Sequence, residues 1–460
     1  MSITASRFGS SPVLLDWNGI NSTVKSQVPD LSPEKKEEFH GHWQKLLAKL
    51  HGGISGFYNA VQNPELSQVT ACNALAKKIL DVGKIKHCIF IGIGGSSLGP
   101  MCLLDSLKHI ATSAMQFHFF ENPDPIDWTY RIKKLNPSET MICVVTKSGT
   151  TYETISLFMI AYDWLKQGVG ANVASAQTVA ITDPNQGELL EFAQKETIQT
   201  LKIDPSVGGR YSVFTPVGLF AAALAGLNTE HFLAGANKIR DYCEKASAEK
   251  NLFVTWGYAL QALYQTHRTH VMMPYSTPLR LLADWWVQLW AESLGKDGKG
   301  FTAIGCLGAI DQHSMLQLLR DGPNDKMIWF INVQDFQTKV KVPSVNFKVK
   351  SFDLLAGQEL GSILDTEFRA VQKVMTNRRR PHLQLQLDTL SEESIGATFF
   401  ILSMLTAYMG ELLAVNPFDQ PGVEEAKIYI RETLIAKKNE AAEALDAPEE
   451  VHRLRLHREG

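Results

Sequence analysis

Short runs of branched and aromatic residues recur along this chain, separated by longer stretches with helical spacing. The apolar runs fall at 87–93, 115–120, 141–146, 178–182 and 200–203. Between them, stretches such as 152–167 and 187–195 place apolar residues at the spacing of a helix that buries one face. Buried strands alternating with amphipathic helices predict βαβ units, a parallel sheet with helices on both sides. Residues 218–227 are nearly all small or apolar and predict a buried helix closing this first part. After residue 251 the alternation resumes, with strands predicted at 270–273, 301–305, 326–333 and 382–387. Helices are predicted at 279–294, 312–319, 356–376 and 394–415, the last stopped by Pro417. The pattern predicts an α/β fold of two doubly wound parallel-sheet domains in three-layer α/β/α sandwiches, plus helical terminal segments. The divisions expected are a helical segment over 1–50, α/β domains over 51–245 and 246–430, and a helical tail over 431–460.

Composition narrows the function classes. A chain of 460 residues is too long for one ordinary core. The formal net charge of -3 provides no global field to hold nucleic acid or an anionic membrane, so an anionic ligand has to be met locally. Six scattered cysteines form no C-x-x-C pair and no zinc-like spacing. Cys88 and Cys143 fall inside strand-like runs, where a free thiol acts as a small hydrophobe. That usage fits a reducing, cytoplasmic setting. The start, M-S-I-T-A-S-R-F-G-S, is unlike a signal peptide. The uncharged apolar run 395–410 is shorter than the roughly 18–20 residues of a membrane helix. It also carries Gly396, Thr398, Ser403 and Thr406, and predicts a buried core helix. Neither nucleic acid nor membrane is expected as a partner. The tail from Ile428 alternates charge with alanine and ends H-R-L-R-L-H-R-E-G, the pattern of a docked or frayed surface helix.

Two predicted strands run into loops suited to an anion. The first continues through Gly92-Ile93-Gly94-Gly95-Ser96-Ser97 into a helix. Glycines let the backbone approach a ligand closely, and a helix N-terminus offers unpaired N–H groups. The spacing is neither the dinucleotide G-x-G-x-x-G nor a P-loop, which disfavours a nucleotide. The second strand ends in Thr146-Lys147-Ser148-Gly149-Thr150-Thr151. Capping by Thr150 or Thr151 would use one hydroxyl and leave the others unexplained. A phosphate monoester, which needs several donors, explains the cluster.

Three further strings carry candidate charges. Gly208-Gly209-Arg210 sits at the expected carboxyl edge of the first sheet, where a loop arginine faces either solvent or the ligand crevice. Gln288 and Glu292 lie one turn apart near the end of an amphipathic helix whose core face is Trp285, Trp286, Leu289 and Trp290. A carboxylate there opposes the helix dipole; it is either solvated or kept for general-base work. Asp311-Gln312-His313 opens a predicted helix, with Asp311 as its expected N-cap. His267 and His270 form an H-x-x-H with no third ligand and are read as structural. Phe418-Asp419-Gln420-Pro421-Gly422-Val423-Glu424-Glu425-Ala426-Lys427 breaks and restarts a helix, with Lys427 as either a surface lysine or a site residue.

Taken together, G-I-G-G-S-S-L-G-P, T-K-S-G-T-T-Y-E-T, G-G-R-Y-S, W-A-E-S-L-G-K, D-Q-H and F-D-Q-P-G-V-E-E-A-K resemble the glucose-6-phosphate isomerase family of sugar-isomerase domains over roughly residues 50–430. The resemblance implies interconversion of glucose 6-phosphate and fructose 6-phosphate through a cis-enediolate, without metal or organic cofactor. By the same resemblance Glu292 is the base and Arg210 stabilises the intermediate, while His313 and Lys427 assist ring opening. Gly95, Ser96, Lys147, Ser148, Thr150, Thr151, Gln288 and Gln420 would bind the sugar phosphate. A homodimer with His313 contributed in trans is implied too. Long terminal extensions are absent, which leaves dimer-wrapping arms open. The rival readings are a phosphosugar-binding regulator, which would not need Glu292, Arg210 and Lys427 together, and an isomerase of another hexose phosphate.

Overall fold

The computed structural model describes residues 5–24, 26–346 and 348–446. Eleven strands are present among them: β1 (Ala5–Arg7), β2 (Val13–Asp16), β3 (His87–Ile91), β4 (Gln116–Phe120), β5 (Thr140–Val145), β6 (Thr178–Thr182), β7 (Gln199–Lys202), β8 (Thr269–Pro274), β9 (Thr302–Gly305), β10 (Lys326–Val333) and β11 (His382–Leu387). The first sheet runs β4-β3-β5-β6-β7 and every pairing in it is parallel. The chain leaves β3 towards one edge and returns to build towards the other. Its crevice therefore opens between the carboxyl ends of β3 and β5, where open α/β sheets take their ligands.

Both faces of this sheet are buried, and the two-residue strand period divides them. Ile89, Ile91, Ile142 and Val144 pack with Leu157, Phe158 and Leu165 on one side. Cys88, Phe90, Cys143 and Val145 point the other way, into the cluster that also takes Met272, Trp329, Leu383 and Leu385 of the second sheet. All six cysteines are buried free thiols, and burial pushes the thiol pKa of Cys88 and Cys143 upward.

The second sheet runs β1-β2-β11-β10-β8-β9. Its last four strands are parallel, but β1 and β2 add an antiparallel edge, β2 pairing with β11. This corrects two expectations, a wholly parallel second sheet and a helical 1–50 segment. Strands of three and four residues are too short to show a period, and an antiparallel edge needs no crossover helix. The long helix of this segment is Pro33–His51, capped by the Ser32 hydroxyl. The helix expected at 312–319 is instead a 3-10 turn, Ile310–His313, followed by Leu316–Asp321.

The apolar run at 395–410 lies in helix Glu392–Leu412, which is long and apolar enough to cross a membrane; every side chain from Ser394 to Gly410 is buried within the protein. It packs against helices Pro33–His51, Thr229–Lys245 and Arg280–Leu294. Residues as far as Phe418 form one compact unit containing both sheets. Residues from Asp419 form a second, with a 3-10 turn at Pro421–Val423 and helix Glu424–Asp446. The final H-R-L-R-L-H-R-E-G lies outside the described residues.

Candidate active site

Two loops from distant parts of the sequence touch at the carboxyl edge of the first sheet. Gly94 has φ 56, which a side chain would disfavour. A Cβ on Gly95 would lie 2.2 Å from the carbonyl carbon of Gly209, so only glycine lets this loop seat against Gly208-Gly209-Arg210. A Cβ on Gly94 would lie 2.9 Å from Gln288 Nε2. The glycine loop is thus pressed between the arginine turn and helix Arg280–Leu294. The Ser212 hydroxyl completes the junction, 2.7 Å from the Gly209 carbonyl and 3.3 Å from that of Gly95. Ser97 is buried and donates to the Glu121 carboxylate, while its neighbour Ser96 stays partly exposed.

Arg210 is 2% exposed and lies in the 3-10 turn Gly209–Phe214. Its Nε donates to Ser293 Oγ and one terminal nitrogen to the Pro417 carbonyl, each at 2.7 Å. The other terminal nitrogen stands 3.4 Å from Glu292 Oε1. Gln288 Nε2 donates to Glu292 Oε2 at 3.2 Å, across one helical turn. Helix Arg280–Leu294 follows β8 of the second sheet and also packs on helix Leu98–Leu107, which follows the glycine loop. Its tryptophan face is buried, as the spacing predicts, and this presents Gln288 and Glu292 to the other sheet's loop. Arg210 is thus withdrawn from solvent, held on three sides by hydrogen bonds and the Glu292 carboxylate.

The hydroxyl loop follows β5, on the other side of the crevice. Thr151 occupies the N-cap position of helix Tyr152–Val169 but makes no side-chain cap. Its hydroxyl instead meets those of Thr146 at 3.2 Å and Ser148 at 3.5 Å. The Thr150 amide and hydroxyl both donate to Ser148 Oγ at 3.3 Å. Ser148 and Thr150 remain exposed. The donors of the first helical turn are therefore not taken by a cap, and several hydroxyls converge beside them, the arrangement a phosphate requires. Gly149, at φ 71, lies against the start of helix Glu188–Lys195; a Cβ there would be 2.8 Å from the Glu188 nitrogen. Lys147 turns inward and donates to the carbonyls of Pro205 and Val207, each at 3.0 Å. Burial lowers its pKa. Its ammonium ties this loop to the segment leading into Gly208.

The remaining sequence candidates have surroundings of their own. His313 ends its 3-10 turn with an exposed side chain and, among the described residues, shares no hydrogen bond or ion pair with the Arg210–Glu292 group. Asp311 is not the expected N-cap, since Ala309 holds that position. Its carboxylate accepts from the Leu307 amide at 2.7 Å and the Ser314 hydroxyl at 2.8 Å; such local bonds compete with helix continuation and shape the turn carrying His313. Within the second unit, Gln420 precedes the Pro421–Val423 turn. Lys427 lies in the first turn of helix Glu424–Asp446, its ammonium 2.7 Å from Glu424. His267 and His270 are core residues. His270 packs 4.2 Å from the Phe301 ring and 5.5 Å from that of Trp329, and burial lowers its pKa to about 3.

The phosphoglucose isomerase family model matches residues 70–447. The chain belongs to the phosphoglucose isomerase family. It is 41% identical over 348 residues to a glucose-6-phosphate isomerase of Rubrobacter xylanophilus, covering 74% of this chain and 80% of that one. It is 32% identical over 409 residues to a glucose-6-phosphate isomerase of Carboxydothermus hydrogenoformans, covering 85% and 87%. A crystal structure of a hypothetical protein from Thermus thermophilus superposes with a TM-score of 0.83 at 29% identity, over 92% of this chain and 99% of that one.

Within this family member, sequence reasoning missed the partners of Arg210. Ser293, Tyr211 and the Pro417 carbonyl surround the guanidinium. Ser293 and Tyr211 stand directly beside Glu292 and Arg210 in the chain, yet neither carries a charge or spacing that marks it. Glu121, which fixes Ser97, had no signal beyond its place at the end of a strand.

Proposed function

We propose that this protein is an aldose–ketose isomerase interconverting glucose 6-phosphate and fructose 6-phosphate. The observation that carries the reading is a carboxylate and a buried guanidinium 3.4 Å apart, beside a glycine loop at the sheet's switch point. The hydroxyl loop, with Ser96 and Gly95, holds the phosphate and sugar. Glu292 takes the proton from C2 of the open-chain aldose and returns it to C1, or the reverse. The enediolate between them carries negative charge on oxygen, which Arg210 stabilises without giving up a proton. Gln288 orients the carboxylate through its 3.2 Å hydrogen bond. Family resemblance makes His313, Lys427 and Gln420 further candidates for ring opening and sugar binding, with His313 reaching the partner's cleft in a cytoplasmic C2 homodimer. Exposure of His313 and its separation from the Arg210–Glu292 hydrogen bonds support that arrangement.

The test is a dehydrogenase-coupled assay of the purified protein with fructose 6-phosphate, followed by solvent deuterium incorporation at the C1 and C2 positions. Turnover with exchange supports the reading. Sugar-phosphate binding without turnover identifies a regulator instead, and turnover confined to another hexose phosphate identifies a different isomerase.

A further inference from the structure

Arg210 is useful to the reaction only if its charge faces the reacting oxygens, and the hydrogen bonds around it identify what aims it. A guanidinium is planar, so holding two nitrogens determines where the third points. Nε rests on Ser293 Oγ and one terminal nitrogen on the Pro417 carbonyl, which leaves the other directed at Glu292. Ser293 is fully buried, at 0% exposure, and is the residue after the carboxylate in the same helix. Its hydroxyl also meets the Tyr211 hydroxyl at 3.2 Å, and Tyr211 donates to the Pro417 carbonyl at 3.4 Å. One proton assignment satisfies the whole ring: Arg210 Nε donates to Ser293, Ser293 to Tyr211, and Tyr211 to Pro417. The Tyr211 ring is itself fixed, stacked 4.8 Å from Phe57 and tilted against Phe418.

We infer that Ser293 is a positioning residue: its hydroxyl, backed by Tyr211, holds the Arg210 guanidinium so that one terminal nitrogen stays on the reacting side of Glu292. This rests on the proposed role of Arg210. It adds that a neutral, buried serine touching no substrate sets how well the intermediate is stabilised. Because base and aiming hydroxyl are consecutive residues of one helix, a shift of that helix moves the carboxylate and the arginine together and preserves their spacing.

The experiment is a double-mutant cycle in the full chain, read as kcat and KM separately. Ser293→Ala leaves Arg210 Nε without its acceptor in dry surroundings, and kcat is expected to fall roughly tenfold or more, with KM changing by less than about threefold. Lysine cannot make the two-point contact. In an Arg210→Lys background, Ser293→Ala is therefore expected to cost less than about twofold in kcat. Ser293→Thr and Ser293→Val differ only by the hydroxyl, and Thr is expected to retain roughly tenfold more turnover than Val. That pair decides the question should the Ala variant fold poorly. Equal turnover for Thr and Val, or the same loss from Ala in both backgrounds, would reduce the hydroxyl to a packing role and overturn the inference. Full turnover of Arg210→Lys alone, with Ser293 untouched, would instead remove the role given to Arg210 and this inference with it.

Discussion

Replacing Glu292 by Gln tests the basicity of the site while keeping its shape. The amide is nearly isosteric with the carboxylate, and its oxygen can face Arg210 as Oε1 does now at 3.4 Å. What disappears is the ability to accept the C2 proton. General-base catalysis contributes roughly 10²- to 10⁴-fold, which corresponds to about 3–5 kcal/mol of the barrier at 1.36 kcal/mol per decade. The fold should feel much less. Breaking a fully buried ion pair costs about 3–5 kcal/mol, but the Glu292 side chain is 26% exposed and Arg210 keeps Ser293 and Pro417 as acceptors. A loss of about 1–2 kcal/mol is expected, read from urea midpoints. The assay pairs initial rates with fructose 6-phosphate against binding of 6-phosphogluconate, whose phosphate end should be held as before. A Gln variant turning over within tenfold of wild type, with an unchanged inhibition constant, would refute Glu292 as the base. A large loss of inhibitor binding would mean that the carboxylate organises the cleft rather than moving the proton.

Three other outcomes are expected. Ser148→Ala with Thr151→Ala should weaken 6-phosphogluconate and sulfate inhibition, at about 1.5–3 kcal/mol per charge-assisted bond lost; unchanged inhibition moves the phosphate elsewhere. Mixing inactive Glu292→Gln and His313→Ala chains and allowing subunit exchange should restore roughly a quarter of wild-type activity, because two-fold symmetry places both defects in one site of each hybrid and none in the other; verified hybrids with no activity would return His313 to its own chain's site. Burial holds the His270 pKa near 3 against 6.5 in water, so the folded state binds fewer protons than the unfolded one between those values. Its contribution is complete above about pH 6.5 and is lost as pH falls towards 3. Urea midpoints between pH 7 and 4 should therefore fall less steeply in His270→Phe than in wild type, and parallel slopes would refute this.

The boundaries of β6 and β10 coincide with runs visible in the residue pattern, because strands buried on both faces leave continuous apolar stretches, while those of β11 coincide with an alternation of leucine and polar residues of period two. The hydroxyl loop stood out in the sequence as well: four hydroxyl residues directly after a strand exceed what capping can use. Local sequence also marked Glu292 and Arg210 as candidates, through a charge at a helix end and a charge after two glycines. It could not show that they meet. They are 82 residues apart and lie in a turn and a helix that follow strands of different sheets; only packing of the tryptophan face of helix Arg280–Leu294, with Gly95 lying against Gly209, brings the carboxylate to the guanidinium. The same holds for Ser293, Tyr211 and the Pro417 carbonyl, whose importance comes from a hydrogen-bond ring between distant segments. The antiparallel edge of β1 and β2 was likewise decided by tertiary structure, since strands of three and four residues gain their stability from the sheet they join. Residue order determines which segments can be strand, helix or anion loop, because those preferences are local. Which charges share a cleft is a long-range property, decided by how the buried faces of two sheets and the helices between them fit together.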